Sequence, residues 1–327
     1  MGARVLGRGS APGKVILLGE HAVVYGRPAI AVPVTRVQAE ATVTSGFPGE
    51  GVSIYASDLD QMISLATAPR DDPLAAIVRI TLHELGISSA PDWVVCVRST
   101  IPMAAGMGSG AAVSAAIVRA LAAAAGYELP SRAVSELVYQ VERLHHGIPS
   151  GIDNTVVSYA CPIYFIKGQS PQPLRIARPF WLVIGDTGVP SPTKAAVLDV
   201  RRAWEAERAS FEELFDRIAA LVEAARAAIE TGAIELLGPL MNENQALLRE
   251  IGVSSLELER LIETACAQGA SGAKLVGAGR GGNMIALVEP EQADRVAAAL
   301  RAAGAVRTIV TQVDKSSNFW GLSPVVQ

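Results

Sequence analysis

The stretch IPMAAGMGSGAAVSAAIVRAL, residues 101–121, joins a glycine-rich loop directly to an alanine-rich pattern typical of a long helix. Glycine lets a backbone approach a ligand closely. The free N–H groups and the dipole at a helix N-terminus suit a phosphate group. The loop lacks the Gly-Lys-Ser/Thr of a Walker loop, and its spacing differs from the Rossmann fingerprint. One interpretation is a phosphate-binding loop, and the alternative is an ordinary helix start capped by Ser109.

The stretch APGKVILLGEH, residues 11–21, places a lysine inside an apolar strand pattern. Lys14 follows a Pro-Gly turn, and a lysine there is costly unless its ammonium emerges beside an anion. Glu20 and His21 follow the other end of the same apolar run. The alternative is a lysine whose apolar stem lies in the strand while its ammonium reaches solvent.

A third stretch, ERLHHGIPSGIDN, residues 142–154, carries two carboxylates. Glu142 lies near the end of a predicted helix, and Asp153 is predicted to lie in a tight loop rich in glycine and proline. One carboxylate can hold Mg²⁺ while the other orients or deprotonates a hydroxyl. His145 and His146 diverge on a helix, so zinc is not expected. For Asp153 the alternative is an Asx turn that only shapes the loop.

The chain-wide pattern predicts an α+β fold, because strands and helices do not alternate regularly. Strands are predicted near residues 15–18, 29–44, 93–98, 162–166, 181–184 and 306–313. Helices are predicted near 73–85, 110–125, 131–145, 193–231, 233–250, 254–268 and 291–303. The almost wholly helical region after residue 190 indicates two domains, 1–180 and 181–327. KLVGAGRGGNMIALV, residues 274–288, adds a second glycine loop between two strands, with a simple hairpin as the alternative.

Composition excludes several classes of protein. Of the 327 residues, 50% are hydrophobic and 18% are charged, so the chain can bury a large core. The net charge of −4 and the absence of a basic run argue against nucleic acid as a partner. Three scattered cysteines, Cys96, Cys161 and Cys266, form no CxxC pair and predict neither a zinc site nor disulfides. No apolar stretch is long enough to cross a membrane, and a cytoplasmic protein is expected.

Taken together, the motifs are similar to those of the GHMP kinase superfamily. APGKVILLGEHAVVYG resembles the family's first motif, PMAAGMGSGAA its phosphate loop and KLVGAGRGGN its third motif. HGIPSGIDN and GDTGVPSPTK resemble the members that act on mevalonate. The similarity runs from about residue 10 to about residue 313 in the family's order.

The resemblance implies two α+β lobes, one ribosomal-protein-like and one ferredoxin-like, with the active site between them. It implies ATP and Mg²⁺ as cofactors and mevalonate as the small-molecule substrate. Asp153 matches the catalytic aspartate, Lys14 its partner and Glu142 the Mg²⁺ ligand, and the substrate end matches Lys14, Glu20, His21, Ser150 and Asp153. The ATP phosphate loop matches Pro102, Met103, Ala104, Ala105, Gly106, Met107, Gly108, Ser109, Gly110, Ala111 and Ala112.

Two positions depart from the family's motifs. Gly110 replaces a second serine that supplies a hydroxyl to Mg²⁺, and Arg280 interrupts the last glycine run. We hypothesise that Arg280 adds a positive charge facing the phosphoryl oxygens, with a solvent-exposed side chain as the alternative. Another GHMP small-molecule kinase, such as phosphomevalonate kinase, and a non-catalytic sensor of ATP and substrate are the competing functions. The sequence leaves the oligomeric state open, a homodimer included.

Overall fold

The computed structural model describes residues 4–89, 91–102, 106–146, 149–191 and 193–314. The strands are β1 (Val5–Leu18), β2 (Ala29–Ser45), β3 (Val52–Ala56), β4 (Gln61–Ser64), β5 (Trp93–Ser99), β6 (Ile163–Phe165), β7 (Gln172–Pro173), β8 (Phe180–Asp186), β9 (Gly272–Leu275), β10 (Asn283–Val288) and β11 (Arg307–Val313). The helices are α1 (Pro73–Glu84), α2 (Ser109–Ala124), α3 (Ser131–His146), α4 (Ile152–Tyr159), α5 (Thr193–Ala206), α6 (Arg208–Thr231), α7 (Leu237–Glu250), α8 (Leu256–Ala267) and α9 (Ala293–Ala302).

Two sheets divide the chain into an N-terminal and a C-terminal lobe. The first sheet has the strand order β4-β3-β5-β2-β6-β7, with β1 also paired to β2. The second sheet is antiparallel, in the order β11-β8-β10-β9. Helices α1 to α4 belong to the first lobe in sequence and α5 to α9 to the second. The α+β architecture expected from the sequence is therefore present, while the domain boundary near residue 180 stays a prediction.

The N-terminal half of β1 packs directly on helix α2. A Cβ atom added to Gly7 would lie 2.4 Å from the carbonyl oxygen of Ala120, and one added to Gly9 would lie 2.3 Å from that of Ala116. Only glycine permits such a close approach of the strand to the helix backbone, and the small alanine side chains of α2 leave room for it. The start of β1 is therefore fixed against the second half of α2.

Several local predictions were wrong at their boundaries. Strand β1 begins at Val5 rather than near residue 15, and β3 and β4 were not predicted. Residues 146–154 were predicted to be a loop, but the helix α4 begins at Ile152. This helix packs on a small apolar cluster that includes Ile16, Val156 and Phe165. The glycines and proline before α4 obscured its start.

Within the described ranges, no helix is long and apolar enough to cross a membrane. Cys96, Cys161 and Cys266 are free thiols. The cytoplasmic location stays a prediction.

Replacing Gly9 tests the contact between β1 and α2. We expect Gly9→Ala to lower the free energy of unfolding by about 1–3 kcal/mol, because its methyl group would overlap the α2 backbone. Urea unfolding followed by circular dichroism measures the change. The control is Gly110→Ala, in the first turn of α2, where no described heavy atom lies within 4 Å of the added Cβ. Equal stability of the two variants would contradict the packing argument.

Candidate active site

An ion pair between Lys14 and Asp153 lies at the centre of the site. The Lys14 ammonium is 2.8 Å from the Asp153 carboxylate, and the two side chains are 4% and 33% exposed. The backbone N–H of Lys14 donates to the carbonyl of Met107 at 3.0 Å. Lys14 therefore contacts both the aspartate and the phosphate loop (residues 102–112), and its ammonium does not reach freely into solvent.

Gly108 brings the phosphate loop against the Lys14 side chain. Its φ is 69°, in the left-handed region, and it is the N-cap of α2 without a side-chain cap. An added Cβ would lie 3.1 Å from Cγ of Lys14 and 3.6 Å from the Asp153 carboxylate. The alternative of a helix start capped by Ser109 is therefore wrong, because Ser109 is the first residue of the helix. With no capping side chain, the first N–H groups of α2 remain available to an anion.

Asp153 projects from the first turn of α4 and not from an irregular loop. Gly151 precedes the helix with φ 90°, and the Ser150 hydroxyl accepts a hydrogen bond from the Ile152 N–H at 3.3 Å. The Asn154 amide donates to the Ser135 hydroxyl at 2.9 Å, which joins α4 to α3. The Asp153 carboxylate pairs with Lys14, so shaping the loop through an Asx turn is not its role.

Glu142 on α3 lies near this ion pair. Its Oε2 atom is enclosed and has no hydrogen-bond partner among the described residues. Burial raises the pKa of Glu142 to about 8, the charge of Asp153 adds to the rise, and the charge of Lys14 opposes it. Two neighbouring carboxylates near a single ammonium favour a further positive charge at this point.

The end of β1 joins the two lobes through buried polar contacts. The Lys274 ammonium on β9 forms an ion pair with Glu20, and both side chains are completely buried. Burial raises the pKa of Glu20, while the charges of Lys274 and Lys14 oppose that rise. The sequence analysis missed Lys274, although a lysine inside an apolar strand pattern is the same signal that identified Lys14. Glu20 therefore lies inside the interface between the lobes.

His21 makes the second contact between the lobes. Its backbone has φ 58° and ψ −51°, a positive φ outside the left-handed helical region, and its ring Nε2 donates to the Ala278 carbonyl at 3.1 Å. Burial lowers the pKa of His21 to about 4, and the charges of Arg280 and Lys274 add to the decrease. The ring is therefore neutral at pH 7.

The glycine loop (residues 277–282) of the C-terminal lobe reaches the phosphate loop. A Cβ added to Gly277 would lie 3.9 Å from Cα of Gly106. On the opposite side, the Thr187 hydroxyl donates to the Gly282 carbonyl and the Ser191 hydroxyl to the Gly279 carbonyl, each at 2.8 Å. The structure thus brings three of the four predicted motifs into contact through their backbones.

Arg280 has a different environment from the one hypothesised. Its guanidinium forms an ion pair with Asp199 on α5, and the two side chains are 37% and 40% exposed. Neither a free charge facing phosphate nor a side chain free in solvent describes this arrangement. Of the other predicted residues, Met103, Ala104 and Ala105 lie outside the described residues.

Comparison with known proteins places this geometry in a family. Residues 74–161 match the N-terminal domain of GHMP kinases, and residues 224–306 match their C-terminal domain. A mevalonate kinase of Thermococcus sibiricus is 35% identical over 322 residues, covering 94% of this chain and 96% of the relative. A mevalonate kinase of Aeropyrum pernix is 34% identical over 88% of this chain and 90% of its own length.

Solved structures agree with the sequence comparison. The crystal structure of Leishmania major mevalonate kinase in complex with R-mevalonate matches with a TM-score of 0.82 and 29% identity, covering 97% of each chain. Phosphomevalonate kinase of Streptococcus pneumoniae has a TM-score of 0.78 at 15% identity, which shows a shared fold alone. The chain belongs to the GHMP kinases, and within them to the mevalonate kinases. The family and the two-lobed α+β fold predicted from the motifs are thereby confirmed.

The buried His21 predicts a specific loss of stability in acid. Its pKa of about 4 lies below the ordinary 6.5, so between these values the unfolded chain binds a proton that the folded chain does not. Stability from this group is therefore complete above pH 6.5 and decreases as the pH falls towards 4. We expect about 2 kcal/mol of loss between pH 7 and pH 5 that His21→Asn does not show.

Urea unfolding at pH 7, 6 and 5 measures this difference. Asparagine is the matched replacement because its amide can still donate a hydrogen bond to a carbonyl but does not titrate. His83→Asn, on the exposed face of α1, is the control and should follow the parent protein. Identical pH dependence of His21→Asn and the parent would show that His21 is not buried in the neutral form.

Proposed function

We propose that this protein transfers the γ-phosphoryl group of ATP to the primary hydroxyl of mevalonate, giving 5-phosphomevalonate for isoprenoid synthesis. One observation carries the proposal, which is the Lys14–Asp153 ion pair in contact with Gly108 of the phosphate loop. In this pair, a carboxylate and an ammonium lie beside the N-terminus of α2, where the terminal phosphate of bound ATP would lie. The kinship with mevalonate kinases, including one solved with R-mevalonate, supports the choice of acceptor.

Asp153 and Lys14 would act on the two reacting groups. Asp153 is one-third exposed, so a substrate hydroxyl can reach its carboxylate and transfer a proton to it or be oriented by it. The Lys14 ammonium neutralises that carboxylate and offsets the charge of the moving phosphoryl group. Phosphoryl transfer depends mainly on positioning and charge stabilisation, and these two side chains provide both.

Helix α2 and the phosphate loop would bind the phosphates of ATP. No side chain caps the first N–H groups of α2, which follow Gly108. They lie at the start of the helix, where the helix dipole favours negative charge. Because the Lys14 N–H donates to the Met107 carbonyl, movement of the phosphate loop also moves the ion pair. ATP binding and catalytic alignment are therefore expected to depend on each other.

Glu142 fits the role of a Mg²⁺ ligand. Its enclosed, unpartnered Oε2 beside a second carboxylate is the donor chemistry that Mg²⁺ prefers. When bound, Mg²⁺ supplies positive charge to the phosphoryl oxygens. Gly110 offers no hydroxyl, so we propose that Glu142 is the direct protein ligand and that water completes the coordination.

Ser150, Glu20 and His21 would shape the mevalonate end of the site. The Ser150 hydroxyl holds the start of α4, and the other two side chains are buried between the lobes. We propose that Glu20 and His21 support the substrate pocket from behind, because both are enclosed between the lobes. A direct contact of either with mevalonate remains a prediction.

A coupled ADP-release assay tests the function directly. Purified protein is supplied with ATP, Mg²⁺ and one of three acceptors, namely mevalonate, phosphomevalonate or homoserine. The proposal requires turnover with mevalonate and a much lower kcat/KM with the other two. A preference for another acceptor would indicate a different GHMP kinase. Binding of ATP and mevalonate without ADP release would indicate a sensor.

Asp153→Asn tests the proton-handling role. It preserves the shape of the side chain but removes the carboxylate, so kcat should fall by at least ~10²-fold. Binding of a non-hydrolysable ATP analogue, measured by calorimetry, should change little. Asp294→Asn is the control, since Asp294 also lies in the first turn of a helix, far along the chain on α9. A variant with more than half of the parent activity would remove Asp153 from the mechanism.

Glu142→Gln tests the metal-binding role by two measurements. The Mg²⁺ concentration for half-maximal activity should rise markedly, because the charged ligand is lost. Without metal, the unfolded chain releases the Glu142 proton near pH 4.5 and the folded chain keeps it until about pH 8, so stability falls as the pH rises between these values. The variant lacks that loss, so its melting temperature at pH 8 without Mg²⁺ should exceed that of the parent. An unchanged Mg²⁺ dependence would assign the metal to another residue.

A further inference from the structure

Arg280 lies in the glycine loop, and its backbone conformation is unusual for a residue that has a side chain. Its φ is 59°, in the left-handed region that disfavours residues with a side chain. Its N–H donates to the Val253 carbonyl at 2.7 Å, and its guanidinium pairs with Asp199. A side chain at a strained position is retained when its contacts offset the strain.

The partner of Arg280 belongs to a segment that already contacts the same loop. Asp199 lies on α5, which follows closely after the connection of residues 187–191. That connection makes four hydrogen bonds to the glycine loop, through the N–H and the hydroxyl of Thr187, the Ser191 hydroxyl and the Val189 carbonyl. The Arg280–Asp199 ion pair adds a side-chain contact between the middle of α5 and the glycine loop.

The opposite end of the glycine loop contacts the catalytic lobe. Gly277 lies against Gly106 of the phosphate loop, and the Ala278 carbonyl accepts the hydrogen bond from His21. Only two residues, Ala278 and Gly279, lie between Gly277 and Arg280. A shift of Arg280 is therefore passed along a short backbone to the loop proposed to hold ATP.

We propose that Arg280 is a positioning residue that ties the glycine loop to α5 through Asp199 and thereby holds the phosphate loop in its ATP-binding shape. This inference rests on the proposed function of the same site. Arg280 acts through the loop and does not contact the phosphates. Both partners are more than one-third exposed, so salt screens the pair.

Two neutral variants and a charge-reversed pair test the proposal. Arg280→Asn keeps a residue that tolerates the left-handed conformation, and Asp199→Asn removes the partner charge. Each should weaken binding of a non-hydrolysable ATP analogue by about 1.4-fold to 5-fold, the effect of a partly exposed ion pair. The double variant Arg280→Asp with Asp199→Arg restores an ion pair and should recover most of the loss. Calorimetry measures binding, and steady-state kinetics should show the change in KM for ATP more than in kcat.

Arg202→Gln is the matched control. Arg202 also contacts Asp199, at 3.4 Å, but it lies on the same helix and does not reach the glycine loop. ATP binding by this variant should equal that of the parent. At high salt the parent should approach the two neutral variants, because screening removes the same interaction.

Other outcomes overturn the proposal in distinguishable ways. If only Arg280→Asn weakens binding and the reversed pair fails to recover it, Arg280 contacts the nucleotide itself. If neither neutral variant differs from the parent, the ion pair has no role in nucleotide binding. Melting temperatures confirm that each variant is folded before binding is compared. A parent protein that binds the ATP analogue but phosphorylates no acceptor refutes the proposed function while leaving this test intact.

Discussion

The buried ion pair between Glu20 and Lys274 is the contact on which the arrangement of the two lobes depends. A single buried charge without its partner would cost several kcal/mol, so neither side chain is stable in this environment alone. Because one residue belongs to each lobe, burial of both charges requires the lobes to be in contact. The neutral His21 ring, one residue after Glu20, donates a hydrogen bond to the Ala278 carbonyl, which further fixes the orientation of the two lobes.

This constraint determines which parts of the site are complete in one lobe and which need both. The Lys14–Asp153 pair and Glu142 all belong to the N-terminal lobe, so the residues proposed to handle the proton and the metal are assembled there. The C-terminal lobe contributes backbone, through the contact of Gly277 with Gly106. The N-terminal lobe thus supplies the charged side chains of the proposed site, and the C-terminal lobe supplies a backbone loop that packs against it.

The sequence predicted the need for an anion beside Lys14 better than it predicted the local structure around that residue. Lys14 was identifiable because a lysine in an apolar strand needs an anion, and the structure supplies Asp153. The start of β1 was not identifiable, because Gly7 and Gly9 look like turn residues until the α2 backbone is seen against them. The Arg280–Asp199 pair joins residues 81 positions apart, and no local pattern encodes such a contact.

The empty space around Gly110 bears on how this site can change. No described heavy atom lies within 4 Å of a Cβ built there, and the residue is exposed on the first turn of α2. Crowding therefore does not explain why a hydroxyl is missing at this position. A single substitution can introduce one without repacking its surroundings, so at the proposed metal site a protein oxygen and a water molecule would be interchangeable in one mutational step.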